Sequence, residues 1–419
     1  MFKMSKGLDL SLKGKPELKV YESNHINSVA ILGADYIGLK PKLIVEEGDN
    51  IKLGDPLFYD KNNEKVLFTA PASGKVRAIN RGEKRALESI VIDIEENQEE
   101  KIFESFSFLS SRIPSREVVI NNLLASGLWT SFRARPFGKI PNPQDKPAAI
   151  FVNAMDTNPL ALDVSVIIDE NKDEFVAGVK VLKILADCEL YICYQNGAVL
   201  PEVDNDGITY ASFKGKHPAG LSGTHIHFLK PASINRSVWY LSANDVILFG
   251  KLFLTGKIPT SKIIALSGSM VKKPRLLKTR IGASIKDITD FELKDGEIRI
   301  ISGSVLSGHI AKDNLAYLGK YHQQITAIPE GKNKEVSTLM NGCHTAIVPF
   351  DIFDRLSPLD ILPIPLLKSL AVLDTENSQA LGALELEEED VALFSYACPG
   401  KNNYGRLLRK TLEKIEKEG

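Results

Sequence analysis

Three stretches decide the fold class: Ala-Ala-Ile-Phe-Val at 148–152, Glu-Phe-Val-Ala-Gly-Val-Lys-Val-Leu-Lys-Ile-Leu-Ala at 174–186, and Leu-Tyr-Ile-Cys-Tyr at 190–194. The first is an unbroken apolar run of buried-strand length. The second repeats Phe175, Val179, Leu182 and Leu185 close to a 3.6-residue period and predicts a helix. The third reads as a strand again. Strand, helix, strand is the grammar of a parallel sheet. A further helix is expected over Glu117–Ser126 through Val118, Leu123 and Leu124. Residues 101–255 are therefore expected to form an alternating α/β domain.

Toward the N-terminus the pattern changes. Val29–Leu32 and Leu43–Val45 are short strand-like runs, broken by Gly33, Gly38 and Pro41. Glu47-Gly48-Asp49 to Leu57 and Ala70-Pro71-Ala72-Ser73-Gly74-Lys75-Val76 add glycine turns between alternating apolar residues. The polar run at 95–100 marks a boundary, so residues 1–100 form the N-terminal β-rich domain of this reading. Residues 256–330 read as a small strand-rich unit, with Ile263–Leu266 and Ile298–Ile301 as strands and Thr289–Asp295 as a short helix. Residues 331–419 read as helical. Val336–Met340 and Ile364–Leu373 are candidates, and the final Gly405–Gly419 places Leu407, Leu408, Leu412 and Ile415 on one face.

Bulk properties exclude several classes. The chain has 419 residues and a formal net charge of -1, so no overall field draws it to nucleic acid. The basic cluster Lys272, Lys273, Arg275, Lys278 and Arg280 reads as a solvated loop. Four scattered cysteines (Cys188, Cys193, Cys343 and Cys398) fit a reducing compartment and form no cluster motif. No signal-peptide pattern opens the sequence. The most apolar stretch, Ile361–Leu373, is 13 residues long, against the roughly 20 that a membrane span needs. Any membrane role is expected to be peripheral.

The chemistry-bearing residues are few. No GxGxxG, GxxxxGK[ST] or GxSxG occurs. Gly220 and Gly223 lie in His217-Pro218-Ala219-Gly220-Leu221-Ser222-Gly223-Thr224-His225-Ile226-His227, which reads as a loop or a phosphate-binding turn. His225 and His227, if on a strand, would share a face, but nothing at ligand spacing completes a metal site. No catalytic residue and no metal ligand is nominated. Trp129-Thr130-Ser131-Phe132-Arg133-Ala134-Arg135-Pro136-Phe137-Gly138-Lys139 interleaves aromatic rings and guanidinium groups. That pattern suits a planar ligand with carbonyl oxygens, such as a quinone, or an arginine-based structural junction.

Three motifs resemble one family. They are Lys6-Gly7-Leu8-Asp9-Leu10 with Gly14-Lys15-Pro16, the run His217–Phe228, and Pro399-Gly400-Lys401 with Tyr404-Gly405, Leu408-Arg409 and the last five residues. Together they are similar to the NqrA family of the bacterial sodium-translocating NADH:quinone reductases. The resemblance implies a multi-domain α/β protein. Its parts would be a barrel-sandwich hybrid of the biotinyl/lipoyl type (within 1–100), a Rossmann-like α/β domain (101–255), a β-grasp unit of the soluble-ligand-binding kind (256–330) and a helical C-terminal region (331–419). It implies one component of a membrane respiratory complex that couples NADH oxidation and ubiquinone reduction to Na+ export. The implied location is peripheral, at the cytoplasmic face of the bacterial inner membrane, with the other subunits as partners.

The wider flavin-bearing relatives carry an Asn-x-x-Glu-x-Glu-Pro motif, where this chain has Asn153-Ala154-Met155-Asp156-Thr157-Asn158-Pro159. With the glycine loop and cluster cysteines also missing, no cofactor is expected on this chain. The complex as a whole would use NADH, flavins and iron–sulfur clusters. The resemblance nominates two segments for quinone contact. These are Leu32–Leu39, through Leu32, Gly33, Tyr36 and Leu39, and Phe132–Lys139, through Phe132, Arg133, Arg135, Phe137 and Lys139. The alternatives are a purely structural role in assembly and an electron-transfer role of the Rnf type.

Overall fold

The computed structural model describes residues 1–108, 113–203, 206–331, 347 and 351–418. The helix expected at Val336–Met340 and Cys343 lie outside the described residues.

The α/β sheet forms where the three opening stretches predict it. Strands Ala149–Ala154 and Glu189–Gln195 pair in parallel, from Ala149 against Glu189 to Ala154 against Tyr194. The intervening helix Lys172–Leu185 buries Phe175, Val179, Leu182 and Leu185. It packs on helix Ala243–Thr255 with the two backbones almost touching. A Cβ on Gly178 would meet the Val246 carbonyl oxygen at 2.0 Å, and one on Gly250 would meet that of Glu174 at 1.8 Å. Only hydrogen fits at either crossing point, so the two glycines set the helix spacing.

The N-terminal hybrid packs a sheet of Ser28–Leu32, Leu87–Ile94, Gly74–Arg81 and Asn50–Ile51 against one of Pro41–Leu43, Pro56–Asp60 and Asn63–Thr69. Phe58 and Phe68 stack at 4.4 Å in its core. The strand Pro41–Leu43 ends where the expected Leu43–Val45 run begins. The β-grasp unit centres on Ser261–Ser267 and Gln324–Pro329. Its helix is Ile285–Thr289, not Thr289–Asp295, because Ser284 caps it by accepting from the Asp287 amide.

Two edge strands come from the first 22 residues. Phe2–Lys3 adds to the α/β sheet beside Phe213 and Lys214. Glu17–Glu22 adds to the β-grasp sheet beside Arg275–Arg280. The C-terminal helices have their own core. On Tyr404–Glu418, residues Tyr404, Leu408, Leu412 and Ile415 are buried against Phe353, Leu366, Leu370 and Phe394. No described helix is long and apolar enough to cross a membrane.

Candidate functional site

The α/β sheet reverses direction beside strand Ala149–Ala154. The chain runs from it to Glu189–Gln195 and Ile208–Lys214 on one side, then crosses to Val238–Ser242 on the other. Such a reversal leaves a crevice beyond the carboxyl ends of the two central strands. A cavity of about 410 Å³ lies there, walled by Asn153, Met155 and Asp156 from the first strand's end and Ser242 and Asp245 from the second's. Leu32, Asp35 and Ile37 of the hybrid, His309 and His322 of the β-grasp unit, and Glu387 and Glu389 of the helical region close it. Four parts of the chain thus meet at one hole.

The two nominated segments are neighbours here, but their residues divide. Leu32 and Arg133 line the cavity. Tyr36 turns away, packed edge-on against Phe68 with ring centroids 4.7 Å apart, and lines a smaller cavity of about 70 Å³ with Leu32, Asp35 and Thr130. Gly33 lies where a Cβ would come within 2.1 Å of the Leu87 carbonyl, so close packing requires it. Leu39 is half-buried and donates its N–H to the Tyr36 carbonyl. Phe132 is fully buried, 5.3 Å from the Trp129 and Phe249 rings and 5.5 Å from Trp239. Phe137 packs on the helical core, and its carbonyl accepts from Arg409 Nη1 at 2.6 Å. Lys139 Nζ meets Glu416 at 2.6 Å.

The arginines are held by tyrosines rather than by the phenylalanines of their own stretch. Arg133 lies between Tyr240 and Tyr321, its guanidinium carbon 4.6 and 4.7 Å from their ring centres. Arg135, wholly buried, faces the turn Glu385–Asp390. Its Nη1 donates to Asp390 at 2.8 Å and to the Glu385 carbonyl. Its Nε approaches Glu387 Oε1 at 3.3 Å without hydrogen-bond alignment, and Glu389 stands 3.7 Å away. Tyr240 Oη donates to Glu387. Arg409 neutralises Glu388 at 2.6 Å.

Three carboxylates therefore share two arginines, and one negative charge is in excess. The excess favours protonation of one carboxyl. Burial pushes the Glu389 carboxyl up to about 7, with Arg133 pulling it down and Asp390 and Glu387 pushing it further up. Burial also raises Asp156 and Asp35 in the same cavity wall. His322 is driven down to about 3 by burial and stays neutral.

The central histidines are not on a strand. Residues Ser222–Leu229 are helical, so His225 and His227 point apart. His225 Nε2 lies 3.0 Å from the Ala219 carbonyl oxygen in the core, and burial lowers it to about 3. His227 Nε2 accepts the Asp360 amide, so its Nδ1 carries the proton toward Glu385 at 2.8 Å. The turn before this helix is closed from within. The Gly220 N–H donates to Thr157 Oγ1, and its carbonyl accepts from Asn153 Nδ2, both at 2.9 Å. Among the described residues, no three His, Cys, Asp or Glu side chains group to hold a metal. Cys188, Cys193 and Cys398 are free.

The sequence carried half of the missed ion cluster in plain view. The Glu387–Asp390 run and the Arg133/Arg135 pair are complementary charges, and pairing them was the available signal. Asp35, Tyr240, Tyr321, His309 and His322 carry no local signal.

Comparison with known proteins covers the same parts. Family profiles match residues 2–95 (NqrA N-terminal barrel-sandwich hybrid domain), 114–258 (NqrA second alpha/beta domain) and 263–313 (NQRA C-terminal domain). The A-subunit of the Na(+)-translocating NADH-quinone reductase of Neisseria meningitidis serogroup B is 48% identical over the whole of both chains. That of Glaesserella parasuis serovar 5 is 46% identical, again over both whole chains. A solved NAD+-reducing [NiFe]-hydrogenase in the H2-reduced state overlaps 72% of this chain and 60% of its own, with a TM-score of 0.40 and 13% identity. That overlap is too loose to bear on the site. Full-length identity near one half, together with three matched domains in family order, assigns the chain: it belongs to the NqrA family, the A-subunits of the Na(+)-translocating NADH-quinone reductases.

Proposed function

We propose that this chain binds a quinone headgroup in the cavity at the strand reversal. It would act as a peripheral component on the cytoplasmic face of the bacterial inner membrane. Ubiquinone is the substrate, and partner subunits carry the NADH, flavin and iron–sulfur chemistry. The observation that carries this reading is the convergence of Leu32–Ile37 and Ser131–Arg133, from different domains, on one 410 Å³ cavity.

Arg133 is suited to the task. Two tyrosine rings hold its guanidinium flat, and a pre-oriented donor of this kind stabilises a carbonyl oxygen or the charge of a half-reduced quinone. Glu389, near half-protonation at neutral pH, can give up a proton at its carboxyl oxygen to a reduced ring. The rest of the wall disfavours phosphate-bearing cofactors. Asp35, Asp156, Asp245, Glu387, Glu388 and Glu389 line it with a single arginine, and the Gly220 turn already directs its N–H to Thr157.

Equilibrium titration of the isolated chain with a water-soluble quinone analogue tests the reading. We expect saturable binding that weakens about tenfold in Arg133→Ala, a loss typical of one charge-assisted hydrogen bond. Absence of saturable binding sinks it. A second reading, an assembly component that binds no quinone, is favoured by Phe132, Arg135 and Phe137, which are all committed to packing or ion pairs. The same titration separates the two. A flavin-like visible absorbance that co-purifies with the chain would favour the Rnf-type alternative.

A further inference from the structure

The tip of the β-grasp unit lies away from the cavity and carries an unusual residue. Phe291 is 86% exposed and has φ 58°, in the left-handed region. A bulky side chain is rarely found there, because its Cβ crowds the backbone. The surroundings enforce the conformation. Asn24 Nδ2 donates to the carbonyls of Asp287, Ile288 and Asp290, the last at 2.9 Å. Lys272 Nζ donates to the Phe291 carbonyl at 3.0 Å, and the Lys272 amide donates to Glu292. The fold thus uses several hydrogen bonds to present an aromatic ring to water. Strain held in place by its neighbours is a mark of a working position.

Lysines flank the tip, with Lys272 and Lys294 anchored to the Phe291 and Ser269 carbonyls. Lys272, Lys273 and Lys294 are exposed, and the Val271–Leu293 bridge brings their two segments together. The adjacent Glu292 is neutralised by Arg275 through two bonds of 2.8 and 2.7 Å. Asp290, Asp295 and Glu297 remain as exposed acids beside the tip.

We propose that the Phe291 tip docks directly on an anionic lipid surface, with the ring entering the headgroup boundary and the lysines facing lipid phosphates. A protein partner fits less well. Lysine is depleted at the centres of protein interfaces, and the patch offers one ring rather than an apolar area. An exposed apolar group flanked by basic residues is the pattern of interfacial anchors. This contact is separate from the cavity and does not rest on the quinone reading.

The test is flotation of the full chain with vesicles of phosphatidylcholine alone or mixed with phosphatidylglycerol, at low and high salt. The wild type should float with the anionic vesicles only, and salt should release it. Lys273→Gln should lower the partition coefficient about fivefold, the factor for one lysine at an anionic surface. Phe291→Gly should lower it several-fold while melting at the same or a higher temperature, since glycine accepts the backbone angle freely. No flotation at low salt overturns the proposal. So does equal flotation of wild type and Phe291→Gly, whether or not that variant loses its hold on a protein partner.

Discussion

Arg133 and Arg135 sit two residues apart on one short strand, yet they live in different worlds. The strand pairs antiparallel with its neighbour, Arg133 opposite Tyr240 and Arg135 opposite Val238. Both guanidiniums face the Tyr240 ring, at 4.6 and 5.3 Å. The helical region seals the Arg135 end of that face and reaches the Arg133 end only through Glu387, whose Oε2 accepts from Arg133 Nη1 at 3.4 Å. Arg135 is sealed under the Glu385–Asp390 turn, and its side chain is 0% exposed. Arg133 keeps 24% of its side chain exposed and lines the cavity. The lesson is that a fold can hold a sealed arginine and a partly open one on the same strand, within one ion cluster, by thinning its cover from one to the next. Substitutions at the sealed end should therefore read out in stability, and those at the open end in binding.

The sharpest break is Arg135→Met. It strands Glu387 and Asp390 without their counter-ion, and losing one partner of a buried pair costs about 3–5 kcal/mol. Denaturant unfolding should show that loss, and amide exchange should show the C-terminal helices opening first. If Arg135→Met instead keeps wild-type stability and only weakens ligand binding, the sealed-versus-open distinction is wrong.

Phe132→Ala should come next, at about 3 kcal/mol of stability, because it empties a site among three aromatic rings. Quinone-analogue affinity should hold in the fraction that remains folded.

Acid sensitivity sharpens the buried side of the comparison. His225 is neutral in the fold, with its affinity for protons depressed by burial from 6.5 to about 3. The unfolded chain takes up the proton first. The stabilising contribution is thus complete above about pH 6.5 and is lost as pH falls toward 3. At pH 4 the loss is about 3 kcal/mol by linkage arithmetic. His225→Gln should be measurably less acid-sensitive over pH 6.5–4 in the same denaturant assay. Glu389 works in the opposite direction, since its stabilising effect as a protonated group fades between about pH 4.5 and 7. His225→Gln must therefore be compared with wild type at each pH.

The smallest stability effect belongs to Arg133→Ala, about 1 kcal/mol for a partly exposed cation between rings whose 3.4 Å contact leaves Glu387 still partnered by Tyr240 and Arg135, with the binding loss as its main signature.

Local grammar made the fold readable and left the site half hidden. The 148–194 stretch announced its own sheet because strand and helix periods are properties of neighbouring residues. The helix at Ser222–Leu229 escaped because His-Ile-His-Phe mimics an alternating strand, while the leucine before the helix offers no side-chain cap. Ser284 with Asp287 was a capping signal for the β-grasp helix and outweighs the Thr289–Asp295 pattern. Two quinone-site nominees, Leu32 and Arg133, face the cavity, while Phe132, Arg135 and Phe137 are turned into packing. Nothing in Phe132-Arg133-Ala134-Arg135 says which end the distant Glu385–Asp390 turn will cover. That choice is made by tertiary contact and is written in no local pattern.

The two borrowed edge strands set a timetable for synthesis. Phe2 waits for Phe213 and Glu17–Glu22 waits for Arg275–Arg280, so the earliest residues are among the last to find partners. At about 5–20 residues per second, the ribosome takes some tens of seconds to deliver them. During that interval the two N-terminal segments have no sheet to join, and their strand-forming backbone stays unpaired until residues 213–214 and 275–280 emerge.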